Sequence, residues 1–224
     1  MKFTAVAFDL DGTLYPETSL YVRLLPFLIK DHRLLRAMGK ARERLRKFGA
    51  YEGDFYKTQA RIMGEILGEP AEDVMERTER LIYRGWEDHF KKIRLFPHAR
   101  ETLDAFKGAG IKMGLLSDFP PETKLQNLKI NGYWDAVLCS EISGRLKPDP
   151  LSFLELAKRL KMKPEEILYV GNSLSYDAAG SRKAGMKSAI IRSVWKKSPF
   201  KSGKEAAADF VFSDYRQLRD FVLN

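Results

Sequence analysis

Hydrophobic and polar positions divide the chain into two regimes. From Phe96-Pro97 onward, short apolar runs at Ile111 to Leu116, Ala136 to Cys139, Ile167 to Val170, Ser188 to Ile191 and Phe210 to Phe212 alternate with stretches whose apolar residues recur at helical spacing. Strand and helix in alternation predict a parallel, doubly wound sheet. A further run, Phe3 to Phe8, stands ahead of a long stretch from Pro16 to about Leu95 in which nothing reads as a strand. Its periodicity predicts roughly three or four helices, broken at Gly49, Gly53 and Gly68-Glu69-Pro70. The predicted fold class is α/β, a doubly wound parallel sheet with an inserted all-helical domain: residues 1–15 and 96–224 form the core, 16–95 the insert. An insert that leaves just beyond the first strand sits over the carboxyl ends of the strands, where open α/β sheets bind ligands. There it can exclude water and choose the substrate.

Composition narrows the class without naming the chemistry. The chain has 224 residues, 44% apolar and 31% charged, enough for a full-sized domain plus a smaller one. It contains no apolar run of about 18 residues, so no membrane span is expected. The apolar run after Lys2 stops at Asp9, too short for a secretory signal, and a cytoplasmic location is expected. The single cysteine, Cys139, lies in an apolar run and reads as a buried structural thiol. The histidines His32, His89 and His98 lack metal-ligand spacing and are assigned no catalytic part. The net charge of +9 is concentrated in Lys30 to Lys47 and Lys196 to Lys204. In the first segment the basic residues interleave with Leu34, Leu35, Met38, Ala41, Leu45 and Phe48, which reads as the solvated face of an amphipathic helix.

The most informative stretch is Ala5-Val6-Ala7-Phe8-Asp9-Leu10-Asp11-Gly12-Thr13. A buried strand here delivers two carboxylates, two residues apart, to its carboxyl end, with Gly12 free to take the backbone angles of a turn. Asp9 can attack as a nucleophile, already ionised at neutral pH, while Asp11 shuttles a proton. Further along come a strand ending in Ser117-Asp118, the proline-stiffened Lys147-Pro148-Asp149-Pro150, and a strand ending in Gly171-Asn172 with Asp177 beyond. Ser117 and the N–H groups after it can cradle phosphate oxygens, although a lone Ser after a strand is more often a helix cap. Lys147 can hold a point charge over a transferring phosphoryl group.

Taken in this order, these segments resemble the four motifs of the haloacid-dehalogenase-like (HAD) superfamily, which is mostly phosphatases. The resemblance runs from about Phe3 to Ile191. It implies a Rossmann-like core with a helical cap of the first cap class, and a Mg²⁺-dependent phosphatase acting on a small phosphomonoester through an aspartyl phosphate on Asp9. Asp11 argues for phosphoryl transfer, since the family's dehalogenases lack an acid there. The implied roles are catalysis by Asp9, Asp11 and Lys147, phosphate binding by Ser117, Asp118 and Lys147, and metal binding by Asp9, Asp11, Asn172 and Asp177. Asp118 stands where the family often has Asn and is expected to act through its backbone. Asn172 stands where many members have an acid, which predicts a weaker metal site. Asp177 can orient metal-bound water, hold Lys147, or cap the following helix. His98 replaces a customary Gly in a turn.

The expected partner is a small phosphorylated metabolite, with no membrane and no nucleic acid, and a monomer or homodimer as the assembly. Two alternatives stand beside this reading. One is a phosphomutase acting on a sugar phosphate, which would use Asp9 and Asp11 alike. The other is a catalytically weakened protein that binds an anionic partner such as nucleic acid through Arg33 to Lys47 and the aromatic, basic loop from Trp195 to Lys204.

Overall fold

The computed structural model describes residues 3–48, 53–192 and 208–224. Six parallel strands form one sheet in the order β3-β2-β1-β4-β5-β6, with β1 at Ala5–Phe8, β2 at Lys112–Ser117, β3 at Ala136–Cys139, β4 at Ile167–Gly171, β5 at Lys187–Ile191 and β6 at Phe210–Phe212. The apolar runs read from the sequence are these strands, to within a residue or two at each end. β1 is central, pairing Phe8 with Leu115 of β2 on one side and with Val170 of β4 on the other. From β3 the chain crosses to the far side of β1, so the crevice beyond the end of β1 is the point where the strand order reverses.

The strands are apolar on both faces because helices cover both. Val6, Phe8, Met113, Leu115, Leu168 and Val170 pack with α6 (Ala99–Gly108) and α10 (Tyr215–Leu223). Ala5, Ala7, Leu116, Ile167 and Tyr169 pack with Phe153, Leu156 and Leu160 of α8 (Pro150–Leu160). On this second face the small side chains of β1 are matched by large ones from the helix.

Between residues 16 and 95 the described residues form helices and no strand: α1 (Glu17–Lys30), α2 (His32–Phe48), α3 (Phe55–Leu67), α4 (Ala71–Thr78), a π-helical turn (Glu79–Arg84) and the short α5 (Glu87–Phe90). These exceed the expected three or four: a break at Asp31, without Gly or Pro, splits α1 from α2, and α4 runs into the π-helical turn. Leu34, Met38, Ala41 and Leu45 of α2 pack with Phe55, Ile62 and Met63 of α3 and with Val74 of α4, joined by Leu146 from the sheet side. The chain's exit and re-entry are tied together where the Phe96 amide donates to the Leu14 carbonyl at 2.9 Å.

Helix α2 corrects the solvated-face expectation in part. Arg33, Arg36, Lys40, Arg44 and Lys47 are exposed, but Arg42 is buried and Arg46 half-buried, both turned toward the loops at the strand ends. Among the described residues no helix is long and apolar enough to cross a membrane. The aromatic, basic loop from Trp195 to Lys204 lies outside the described residues.

Candidate active site

Asp9 continues β1 by one residue, its amide donating to the Val170 carbonyl at 2.8 Å. Its buried carboxylate accepts from the Lys147 ammonium on Oδ1 at 2.6 Å and from the Thr13 hydroxyl on Oδ2 at 2.7 Å. Lys147 Nζ also reaches Asp177 Oδ1 at 2.8 Å, so one cation bridges two buried acids. Asp177 Oδ2 accepts from the backbone amides of Asn172 and Ser173 at 3.1 and 3.0 Å. These contacts bind Asp177 to Lys147 and to the turn before it. The helix-capping contact in this turn is made by Ser173, whose side chain accepts from the Tyr176 amide. Gly171 permits the approach, since a Cβ there would stand 2.3 Å from Asp177 Cβ.

The electrostatics amend the view that Asp9 is simply ionised. Burial outweighs the pull of Lys147, and with Asp177 and Asp11 nearby it pushes the Asp9 carboxyl up to about 7. Lys147 goes the other way: burial alone would lower it, but Asp177 and Asp9 raise it well above the usual lysine value. The lysine therefore stays charged while the nucleophile candidate is divided between its two forms near neutrality.

Asp11 lies on the other side of the turn, less buried than Asp9. Its carboxylate accepts from the Tyr15 hydroxyl, from Lys124 Nζ at 2.6 and 2.8 Å, and from the Ser117 hydroxyl at 3.5 Å. Its main-chain carbonyl faces the side-chain amide of Asn172 at 3.1 Å. Gly12 makes that possible twice over: its φ of +80° favours glycine, and a Cβ would fall 2.0 Å from Asn172 Nδ2. Ser117 Oγ accepts from the Phe119 amide at 3.1 Å, and the next helix, α7 (Glu122–Asn127), starts later, so Ser117 is not its cap.

The Asp118 side chain, for which the sequence suggested no part, is fully engaged. Its Oδ1 accepts from Ser140 Oγ at 2.5 Å and from the Lys147 amide at 3.1 Å, and its Oδ2 accepts from Arg46 Nη2 at 2.8 Å. Burial would raise its pKa, yet Lys147, Arg42 and Arg46 hold it below the usual carboxylate range. Arg46 also donates to the Lys147 carbonyl at 2.8 Å, so it and Asp118 bracket the Lys147 main chain. Arg42 donates to the Asp118 carbonyl at 2.9 Å and to the fully buried Glu141, which also accepts from the Tyr83 hydroxyl at 3.0 Å. Thus α2 is pinned to two loops at the strand ends, the one after β2 and the one after β3.

Above Asp11 a cleft of about 650 Å³ opens between these helices and the strand ends, lined in part by Tyr56, Trp86, Phe90, Phe119 and Lys124. A model of the haloacid dehalogenase-like hydrolase family matches residues 3–185. The chain belongs to this family. It is 28% identical over 191 residues to a phosphoglycolate phosphatase of Nitrosospira multiformis, covering 83% of this chain and 81% of the relative. It is likewise 28% identical over 230 residues to a glyceraldehyde 3-phosphate phosphatase of Methanopyrus kandleri, covering 97% and 96%. The crystal structure of a HAD phosphatase from Thermococcus onnurineus superposes with a TM-score of 0.65 at 25% identity over 98% of both chains. An L-2-haloacid dehalogenase from Xanthobacter autotrophicus shares the fold, with a TM-score of 0.66, 20% identity and 98% of both chains covered.

The Mg²⁺ that the resemblance implies needs several oxygen donors close together. Among the described residues no cluster of three or more His, Cys, Asp or Glu side chains could hold a metal. The donor set that remains is the Asp9 carboxylate, the Asp11 main-chain carbonyl and the Asn172 amide. The 3.1 Å between the Asn172 amide and the Asp11 carbonyl is close to the edge of an octahedron with bonds of about 2.1 Å, and turning the amide over presents its oxygen instead of its nitrogen. The residues fit a hard cation, with less ligand charge than two carboxylates would give.

Sequence reasoning missed Lys124, Arg42, Arg46, Tyr15 and Glu141. Lys124 had a faint signal, a lysine on a short segment directly after Ser117-Asp118; the two arginines were hidden in a helix rich in basic residues.

Proposed function

We propose that the protein is a Mg²⁺-dependent phosphoric monoester hydrolase working through an aspartyl phosphate on Asp9. In the first step an Asp9 oxygen bonds to phosphorus, the bond from phosphorus to the ester oxygen breaks, and Asp11, in its protonated form, gives that oxygen its proton and becomes a carboxylate. In the second, Asp11 takes a proton from water as the water attacks the phosphoenzyme, releasing phosphate and restoring Asp9. Lys147 stays charged beside the transferring group, held from behind by Asp177, while the Ser117 hydroxyl and the backbone N–H groups after it donate to the phosphoryl oxygens. A bound Mg²⁺ would neutralise charge between Asp9 and the phosphoryl group, held by Asp9, the Asp11 carbonyl and Asn172.

The carrying observation is the division between the two acids. Asp9 is buried against Lys147, whereas Asp11 borders the cleft where a leaving group can lie. The presence of Asp11 favours phosphoryl transfer over dehalogenation. The helices from Glu17 to Phe90 serve as a cap that selects the ester, an assignment supported by Arg42 and Arg46 docking on the loops that carry Asp118, Glu141 and Lys147.

The test is Asp9→Asn, assayed for phosphate release and, by intact-protein mass spectrometry, for phosphoenzyme. Loss of at least ~10³-fold in kcat with an unchanged melting transition is expected, because an amide is a poor nucleophile. Near-native turnover would remove Asp9 as nucleophile.

A further inference from the structure

The cleft above Asp11 carries more information than the reaction requires. Its aromatic side chains include Tyr56, Tyr83, Trp86 and Phe90 from the helical insert, Phe119 from the loop after β2 and Tyr15 from the turn after β1. Tyr83 contacts Tyr56 edge-on at 5.4 Å and Phe119 at 6.4 Å between centroids, so these rings form a continuous wall across the junction of the two layers. Leu20 and Ile82 add aliphatic surface. At about 650 Å³ the space far exceeds what a two- or three-carbon leaving group fills.

Its charges are equally one-sided. Asp11, Glu17, Glu79 and Glu87 line it, against the cations Lys124 and Arg84. Both cations have carboxylate partners: Lys124 is held on Asp11, and Arg84 Nε donates to Glu79 at 2.9 Å. A second anionic group on the substrate, such as a carboxylate, would meet net negative charge here. A flat uncharged ring would instead meet aromatic faces and edges and displace water from apolar surface.

We infer that the substrate is a phosphomonoester whose leaving group carries an aromatic or heteroaromatic ring and no second anion. This rests on the hydrolase reading above and specifies the ester that site accepts. Ring binding in the cleft sets the ester oxygen beside Asp11, which converts binding energy remote from phosphorus into orientation at the reacting bond.

The test compares kcat/KM for phosphate release by the full chain with Mg²⁺ on 2-naphthyl phosphate and a nucleoside 5′-monophosphate against phosphoglycolate and glyceraldehyde 3-phosphate. At least one ring-bearing ester should exceed both small esters by ~10-fold or more, and Trp86→Ala should raise KM for that ester several-fold. Glu87→Lys supplies a converse that misfolding cannot mimic, since adding a cation to the cleft should increase kcat/KM for phosphoglycolate. Preference of the natural chain for phosphoglycolate or glyceraldehyde 3-phosphate overturns the inference while leaving the hydrolase reading intact. Release from none of the four esters overturns both.

Discussion

Lys124 Nζ lies 2.6 and 2.8 Å from the two carboxylate oxygens of Asp11, although 113 residues separate them in sequence. The ammonium is buried, with its charge 5.0 Å from the Phe90 ring centroid and 5.5 Å from that of Phe119. Such a contact fixes the rotamer of the acid that must later meet the ester oxygen. Lys124→Met should therefore lower kcat by about 10-fold, a loss of ~1.4 kcal/mol of transition-state stabilisation, with a smaller change in KM. Steady-state kinetics check this; an unchanged kcat would mean that Asp11 needs no such holder.

Asn172 is the position where ligand charge can be added most directly. Asn172→Asp should tighten apparent Mg²⁺ affinity by ~10-fold, because a hard cation responds mainly to ligand charge and oxygen geometry. Without metal the same change sets a carboxylate against the Asp11 carbonyl, where the amide now donates at 3.1 Å. The variant should accordingly melt lower than the natural chain in EDTA and gain more from Mg²⁺. Equal Mg²⁺ dependence in the two proteins would exclude Asn172 as a ligand.

The raised Asp9 pKa sets the acid side of the pH profile. A carboxyl at about 7 is mostly protonated at pH 6 and mostly ionised at pH 8, so nucleophilic activity rises with pH across that window. A cation beside Asp9 favours the ionised form and lowers its pKa. The acid limb of kcat/KM should therefore move to lower pH as Mg²⁺ is increased. A limb fixed in position across a Mg²⁺ titration would separate Asp9 from the metal.

Arg42 and Glu141 form a buried ion pair between α2 and the loop after β3. Arg42→Ala strands Glu141 in a site with no solvent, at a cost of ~3–5 kcal/mol in unfolding free energy. Urea unfolding measures it. Adding Glu141→Gln to Arg42→Ala should recover part of the loss, since the uncompensated charge is then gone. A double variant as unstable as the single one would place the cost in packing.

Each β-strand was legible because its signal is local. A buried parallel strand is an uninterrupted apolar run, and Ala136–Cys139 and Phe210–Phe212 coincide with the runs read from the chain. Helix breaks were less so: Gly68 ends α3 in a left-handed conformation, as a glycine stop should, but the break at Asp31 carries no such residue. His98 adopts φ 61° in a turn that the family usually builds with Gly, a strain no propensity scale would foresee.

The site divides along the same physical line. Asp9, Asp11 and Ser117 stand at the ends of strands whose direction and neighbours follow from the alternating pattern, so their convergence on one crevice could be argued from sequence. Tertiary structure alone decided which charges meet there. Arg42 reaches Glu141 across 99 residues, Arg46 reaches Asp118 across 72, and Lys124 reaches Asp11 across 113. A basic residue on an amphipathic helix looks the same in sequence whether it faces water or a buried acid. Only the docking of α2 and α7 against the strand ends removes solvent from one side and makes the difference, just as burial rather than residue type lifts the pKa of Asp9.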